Sequence, residues 1–263
     1  MLWAAGKTIH IGEYPTAKLF GLIFDVTTVI STVLAALVFL ALGFAMRRKV
    51  TSGVPGKLQL IYEIITVDIV GELAESSIGP KFKRFVPIGV TFFIFILLCN
   101  WMSLFPTALA PGSSADLLPP PTSDINLPLA MALIAISWVH FESFRARGIR
   151  GYFRHYRQPY IALTPINGIE EVIKPVTMTL RLFGNLFAGV LMITVITTLL
   201  PIYGSPIAEF AWKIFDLFIG GIQAYIFMLL TILYFGMAMT HEEAHAPHDP
   251  SLPVATPTTV ASH

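Results

Sequence analysis

The chain has 263 residues, 55% of them apolar and only 13% charged, with a formal net charge of +1. Its mean hydropathy of +0.72 excludes an ordinary soluble domain, and its near-neutral charge argues against a nucleic-acid partner. The only cysteine, Cys99, lies within an apolar run, which excludes an internal disulfide framework and a cysteine metal site.

Five apolar runs are long enough to cross the ~30 Å of hydrocarbon in a bilayer. The sequence therefore predicts an all-α membrane protein that forms one integral membrane domain over residues 1–263. The predicted spans lie at about 20–45, 86–105, 125–144, 172–200 and 210–239. Because the start of the chain lacks the pattern of a cleaved signal peptide, we expect 1–19 to form an N-terminal segment outside the membrane.

The segment 57–79, between the first two spans, is apolar along one broad face. Asp68, Glu72 and Glu75 recur at helical spacing on another face, which makes the segment a poor span. We expect an amphipathic helix on the membrane surface, and docking to a partner is the alternative. The tail 246–263 has the composition of a flexible segment.

Basic residues concentrate in two places, between the first two predicted spans and after the third. They are Arg47, Arg48, Lys49, Lys57, Lys81, Lys83 and Arg84 in the first place, and Arg145, Arg147, Arg150, Arg154 and Arg157 in the second. The loops 106–123 and 201–209 contain none. By the positive-inside rule, the N-terminus lies outside and the C-terminus in the cytoplasm.

The fourth predicted span contains a charge where the membrane makes a charge costly. Arg181 is the only charged residue between Pro175 and Leu200, and a guanidinium at a helix centre costs roughly 3 kcal/mol or more to insert. It belongs to a polar stripe at intervals of three or four residues. The stripe consists of Glu170, Lys174, Thr177, Arg181 and Asn185.

The last span has a second polar stripe that begins at its other end. This stripe consists of Glu209, Lys213, Asp216, Gly220 and Gln223. The two stripes enter from opposite sides and meet near Arg181 and Gln223, which predicts two water-accessible half-paths separated by a fixed positive charge. Since arginine stays protonated, it would interrupt a proton wire and attract a mobile carboxylate.

Other interpretations of these polar residues remain open. Arg181 could form a structural ion pair with Asp216, and a self-contained proton-coupled transporter would also place polar groups at mid-membrane. His140 and Glu142 form either a titratable pair at the inner end of the third span or a solvated helix end. The "HEEAH" run at 241–245 fits a zinc motif, but it follows the last span directly and is interpreted as a polar helix end.

Several stretches together resemble subunit a of the rotary ATP synthase. They are "TSGVPGK", "NWMSLFP", "TSDINLPLAMAL", "KPVTMTLRLFGNLFAG" and "IQAYIFMLLTILYFGMA", in the order and spacing of that family. The resemblance implies a proton-conducting, non-catalytic stator subunit whose last two long helices pack against a ring of c subunits. Its implied partners are that ring, the b-type subunits of the peripheral stalk and the rest of the complex, in a bacterial plasma membrane.

The resemblance also implies roles for particular residues. Arg181 matches the arginine that faces the carboxylate of each c subunit, and Asn185 and Gln223 match its polar neighbours. The positions implied for the outer half-channel are Asn100, Asp124 and Asp25, and those implied for the inner one are Glu170 and Lys174, with His140 nearby. No cofactor or metal is implied, and proton or sodium selectivity stays open.

The chain departs from the common bacterial pattern of that family in three places. Val190 stands where many relatives have a glutamate, Asp216 where many have a histidine, and Ser103 where the N-x-M-D motif has its aspartate. A relay of two residues is thereby reduced to one carboxylate. We therefore expect Asp216, together with water, to conduct protons through the outer half-channel.

Overall fold

The computed structural model describes residues 16–19, 22–51, 53–104, 120–156, 164–201 and 203–240. Five of its helices are long and apolar enough to cross a membrane, which confirms the predicted all-α membrane fold. The helices are α1 (Val26–Lys49), α2 (Lys57–Glu63), α3 (Val70–Ile78), α4 (Val86–Trp101), α5 (Asn126–Tyr156), α6 (Thr164–Leu199) and α7 (Ser205–Thr240).

The first span begins later than predicted because a β-hairpin precedes it. Strands β1 (Thr16–Leu19) and β2 (Leu22–Asp25) pair antiparallel, so the predicted helix start at residue 20 was wrong. Asp25 ends the hairpin and caps α1, accepting hydrogen bonds from the backbone N–H of Thr27 and, at 3.4 Å, of Thr28. An aspartate N-cap satisfies N–H groups that have no partner inside the helix.

The amphipathic segment is helical from Lys57 to Ile78, as predicted, with a π-helical stretch at Ile64–Ile69 between α2 and α3. Asp68, Glu72 and Glu75 are exposed, whereas Val70 and Ala74 are fully buried against α7. The backbone of Gly236 on α7 lies so close to the Ser77 carbonyl that a Cβ would not fit. The apolar face of α3 is thus covered by the protein itself, whereas Ile61, Ile64 and Val67 before it are exposed. The place of the segment at the membrane surface stays a prediction.

The core lies between α4, α5, α6 and α7. Ile96, Met178, Leu182 and Phe227 are almost fully buried there. In contrast, α1 and α6 present long apolar faces that no described residue covers, as expected for surfaces that meet lipid or another subunit.

Helix α5 contains a sharp kink at Gly148, whose φ of 69° lies in the left-handed region that glycine adopts without strain. After the kink the chain turns back, so that the ring of Tyr152 stacks on Phe144 with centroids 3.9 Å apart. The hydroxyl of Tyr152 also lies 3.1 Å from His140 Nδ1. The kink therefore returns a polar group to the end of the third span.

Several sequence predictions fall outside the described residues. They concern most of the N-terminal segment 1–19, most of the loop 106–123, the 241–245 histidine run and the tail 246–263.

Candidate functional site

Arg181 lies on the outward face of α6. Its side chain is exposed, and so is Thr177, one turn before it on the same face of the helix. No hydrogen bond or ion pair joins it to another residue in the described part of the chain. A permanent cation in the middle of a span is therefore directed away from the subunit's own core.

Two contacts fix how α6 and α7 pack against each other. Near one end, a Cβ placed on Gly189 would lie 3.1 Å from Asp216 Oδ1. Near the other, Lys174 Nζ lies 5.4 Å from the centroid of the Tyr234 ring. The helices are antiparallel, and Arg181 lies between these contacts, ~10 Å along the axis from Lys174 and ~12 Å from Gly189.

This register overturns the structural pair considered for Arg181 and Asp216. The two residues belong to different levels of the helix pair, and no ion pair joins them within the described residues. The same register places Gln223 near the level of Arg181. Asn185, one turn along α6 from Arg181, has a buried Nδ2 with no hydrogen-bond partner among the described groups.

Asp216, Ser103 and Lys213 form what we call the Asp216 cluster. The Ser103 hydroxyl donates a hydrogen bond of 3.0 Å to Asp216 Oδ2. The Lys213 ammonium donates to the backbone carbonyl of Ser103. Asp216 is only 8% exposed. Its one hydrogen-bond partner among the described contacts is the Ser103 hydroxyl, from the 3₁₀ turn Met102–Leu104 that follows α4.

Asn100 lies one turn before Ser103 and is 2% exposed. Its Nδ2 donates to the carbonyl of Gly220 at 3.0 Å, and its Oδ1 accepts from Thr122 at 2.9 Å. It thus links α4, α7 and the 3₁₀ turn at Pro121–Ser123. A buried amide satisfied on both sides fixes the position of the chain around it.

The other two residues implied for the outer side cap helices. Asp25 caps α1, as described above. Asp124 accepts hydrogen bonds from the backbone N–H of Asn126 at 3.0 Å and from its side-chain amide at 2.9 Å, at the start of α5. Neither carboxylate shares a hydrogen bond with the Asp216 cluster among the described contacts.

At the opposite end, His140, Tyr152, Glu171 and Lys174 form the Glu171 cluster. Glu171 pairs with Lys174 at 2.6 Å and lies 3.6 Å from His140 Nε2. The sequence analysis named Glu170, which is exposed, and missed Glu171. The i, i+3 spacing of Glu171 and Lys174 was the signal that could have found it.

Neither of the two interpretations left open for His140 and Glu142, a titratable pair or a solvated helix end, describes Glu142 in the structure. The Glu142 carboxylate, whose side chain is 4% exposed, instead pairs with Arg84 at 2.7 Å. This ion pair ties α5 to the turn that precedes α4. In the described ranges, no group of three or more His, Cys, Asp or Glu side chains could hold a metal ion.

The chain is similar to known proteins over most of its length. A family model described as ATP synthase A chain matches residues 28–236. ATP synthase subunit a of Mycobacterium marinum is 46% identical over 242 residues, 90% of this chain and 96% of that protein. The subunit a of Acidothermus cellulolyticus is 43% identical over 231 residues, 88% of this chain and 83% of that protein.

A more distant relative gives the same result. ATP synthase subunit a of Desulforamulus reducens is 34% identical over 232 residues, 86% of this chain and 84% of that protein. The family resemblance found in the sequence is therefore confirmed. The chain belongs to the ATP synthase A chain family, as a multi-pass membrane protein that is part of an ATP synthase complex.

Proposed function

We propose that this chain is the proton-conducting stator subunit of its complex, with Arg181 as the electrostatic gate between two half-channels. The observation that supports this most is the exposed Arg181 side chain, without an ion-pair partner among the described residues and midway between two polar clusters. A cation so placed is available to a carboxylate on another subunit. We assign that carboxylate to the c subunits of the ring.

Arg181 gates by charge and position. Its guanidinium stays protonated, so it cannot relay a proton, and it repels a proton that would move directly between the half-channels. A ring carboxylate passing it is favoured in the ionised form. Asn185 and Gln223 lie near the same level and supply uncharged polar groups there. Each proton that crosses 100 mV contributes about 2.3 kcal/mol to rotation of the ring.

The Asp216 cluster forms the outer half-channel. Asp216 accepts the proton, while Asn100 fixes the wall of the path by its bonds to Gly220 and Thr122. Asp124 and Asp25 lie at the mouth, where each also caps a helix. The Val190 and Ser103 departures leave Asp216 as the one carboxylate of this relay.

The Glu171 cluster forms the inner half-channel, together with Glu170. His140, Glu171 and Lys174 connect α5 and α6 near the end of the fourth span. Their titratable groups release the proton on the cytoplasmic side. The excess of Arg and Lys in the loops on this side supports the orientation, with the N-terminus outside and the C-terminus inside.

The remaining assignments follow from the same role. The chain is a non-catalytic subunit, and nucleotide chemistry belongs to other subunits of the complex. Its partners are the c-ring and the b-type subunits of the peripheral stalk, and its location is the bacterial plasma membrane. The exposed apolar faces of α1 and α6 supply surface for these partners and for lipid.

The test is ATP-driven acidification of inverted membrane vesicles that contain the whole complex. Arg181→Ala should abolish pumping while the complex still assembles and hydrolyses ATP. Arg181→Lys is the matched variant, and it should also be strongly impaired because a lysine in the middle of a membrane span can lose its proton. A passive leak that appears in Arg181→Ala would support its insulating role. Near-normal pumping by both variants would overturn the proposal.

A further inference from the structure

We infer that Ser103, Lys213 and Asp216 work as one unit, in which Ser103 positions the Asp216 carboxylate and holds Lys213 away from it. This inference rests on the proposed function, since it assumes that protons pass through Asp216. It assigns a role to a serine that stands where the family pattern has an aspartate.

One residue contacts both of the others. The Ser103 side chain bonds Asp216, while the Ser103 backbone carbonyl accepts from Lys213. Lys213 and Asp216 are three residues apart on α7, a spacing at which a lysine and an aspartate can pair directly. They do not form an ion pair within the described residues. The backbone carbonyl of Ser103 therefore binds the ammonium, and the Ser103 hydroxyl gives the carboxylate a neutral donor.

The difference between a hydroxyl and an ammonium partner matters for a proton carrier. A hydroxyl donates and accepts hydrogen bonds, so it can stay bonded to a carboxylate in either protonation state. An ammonium only donates, and an ion pair with it would favour the charged form of the carboxylate. Lys213, bound at the Ser103 carbonyl, still partly neutralises the negative charge of Asp216 without a direct bond to it.

The geometry also orients the carboxylate. Oδ2 is bonded to Ser103, whereas Oδ1 faces α6 at Gly189, where the missing side chain leaves the space for it. Ser103 is itself held by its surroundings, because the Asn100 bonds fix the end of α4 against α7. One oxygen is thus anchored and the other is presented toward the helix that contains Arg181.

The experiment measures proton-driven ATP synthesis by the whole complex in vesicles, with the amount of assembled complex measured in parallel. Ser103→Ala should lower the rate about tenfold, the effect of about 1.4 kcal/mol and the size expected for a lost hydrogen bond to a charged group. Ser103→Thr keeps the hydroxyl and should restore most of the rate. Thr91→Ala removes a hydroxyl that bonds only its own helix backbone, and it should have no effect.

A double-mutant cycle tests whether the residues act as a unit. Lys213→Met alone should lower the rate of ATP synthesis. The Ser103→Ala, Lys213→Met double variant should have about the same rate as the slower of the two single variants. Effects that multiply would show two independent residues and overturn the inference. A normal rate in Ser103→Ala, or an equally poor rate in Ser103→Thr, would also overturn it.

The outcome is separable from that of the proposed function. If Arg181→Ala abolishes pumping while Ser103→Ala is normal, only the role of Ser103 fails. If Arg181→Ala pumps normally, the proposed function fails and the effect of Ser103→Ala has to be structural.

Discussion

The two polar clusters lie at opposite ends of the same helix pair, yet they hold their carboxylates differently. Asp216 accepts a hydrogen bond from a neutral hydroxyl in the 3₁₀ turn after α4, and the lysine of its cluster donates to a backbone carbonyl instead. Glu171 is paired directly with a lysine on its own helix and lies beside a histidine. One carboxylate depends on a distant segment of the chain, and the other depends on its own helical turn.

This difference indicates at which end of the helix pair a substitution should reduce the rate of proton transfer more. Asp216 is mostly buried and is the one carboxylate in its cluster, so no neighbouring acid can replace it. The Glu171 side chain is 25% exposed and has a second titratable group, His140, within 3.6 Å. Water and neighbouring groups can compensate there, so we expect the Asp216 end to control the rate.

Substitution of Asp216 should have the largest effect. Asp216→Asn removes the only carboxylate of that cluster while keeping its shape. We expect proton-driven ATP synthesis to fall by about a hundredfold or more, within the usual range for removing a proton-transfer group. The measurement is synthesis in vesicles at equal amounts of assembled complex. A rate within about threefold of the original would remove Asp216 from the path.

Crowding the carboxylate should have the next largest effect. Gly189→Ala places a Cβ 3.1 Å from Asp216 Oδ1, closer than an ordinary contact, and the carboxylate has to shift. We expect the rate of synthesis to fall about tenfold. Gly168→Ala on the same helix meets no atom within 4 Å and should leave the rate unchanged. Equal effects of the two variants would show a general loss of helix packing.

The Glu171 end should tolerate substitution better. Glu171→Gln removes the ion pair with Lys174 and the charge near His140. We expect only about a threefold loss of pumping, since an ion pair within one helix that water still reaches contributes little. Glu75→Gln, at an exposed carboxylate on α3 outside both clusters, is the matched control and should pump normally. If Glu171→Gln proved as damaging as Asp216→Asn, the difference between the two ends would disappear.

The smallest effect on rate should come from the Arg84–Glu142 ion pair. Arg84→Ala leaves a buried carboxylate without its partner, which costs about 1–2 kcal/mol once the exposure of the guanidinium is taken into account. We expect a lower thermal midpoint of the detergent-purified complex, with unchanged coupling per assembled complex. A coupling defect as large as that of Glu171→Gln would place this pair on the proton path.

The spans were predictable from the sequence because bilayer thickness fixes their length and composition. The amphipathic helix was predictable from the separation of Asp68, Glu72 and Glu75 from its apolar face. The hairpin at residues 16–25 was not, since the apolar residues of β2 continue into those of α1 and hide the boundary. Asp25 was the local signal for the helix start.

The candidate site was predictable only in part. Arg181 and Asp216 stood out because each is a charged residue in an apolar run. A charge in a membrane span is costly and therefore indicates a functional role. Ser103 gave no such signal, because a serine is neutral and its partner lies 113 residues away in the sequence. Glu171 was missed in favour of Glu170 because the phase of a helix against its neighbours is set by tertiary packing.

The outward position of Arg181 also bears on how the subunit survives before it is assembled. A chain that inserts alone exposes this cation to lipid, at a cost of roughly 3 kcal/mol or more. A neighbour that supplies a carboxylate removes that cost. Under the proposed function, the gating residue is therefore also a reason for the unassembled subunit to be short-lived, and we expect it to accumulate only together with its partner subunits.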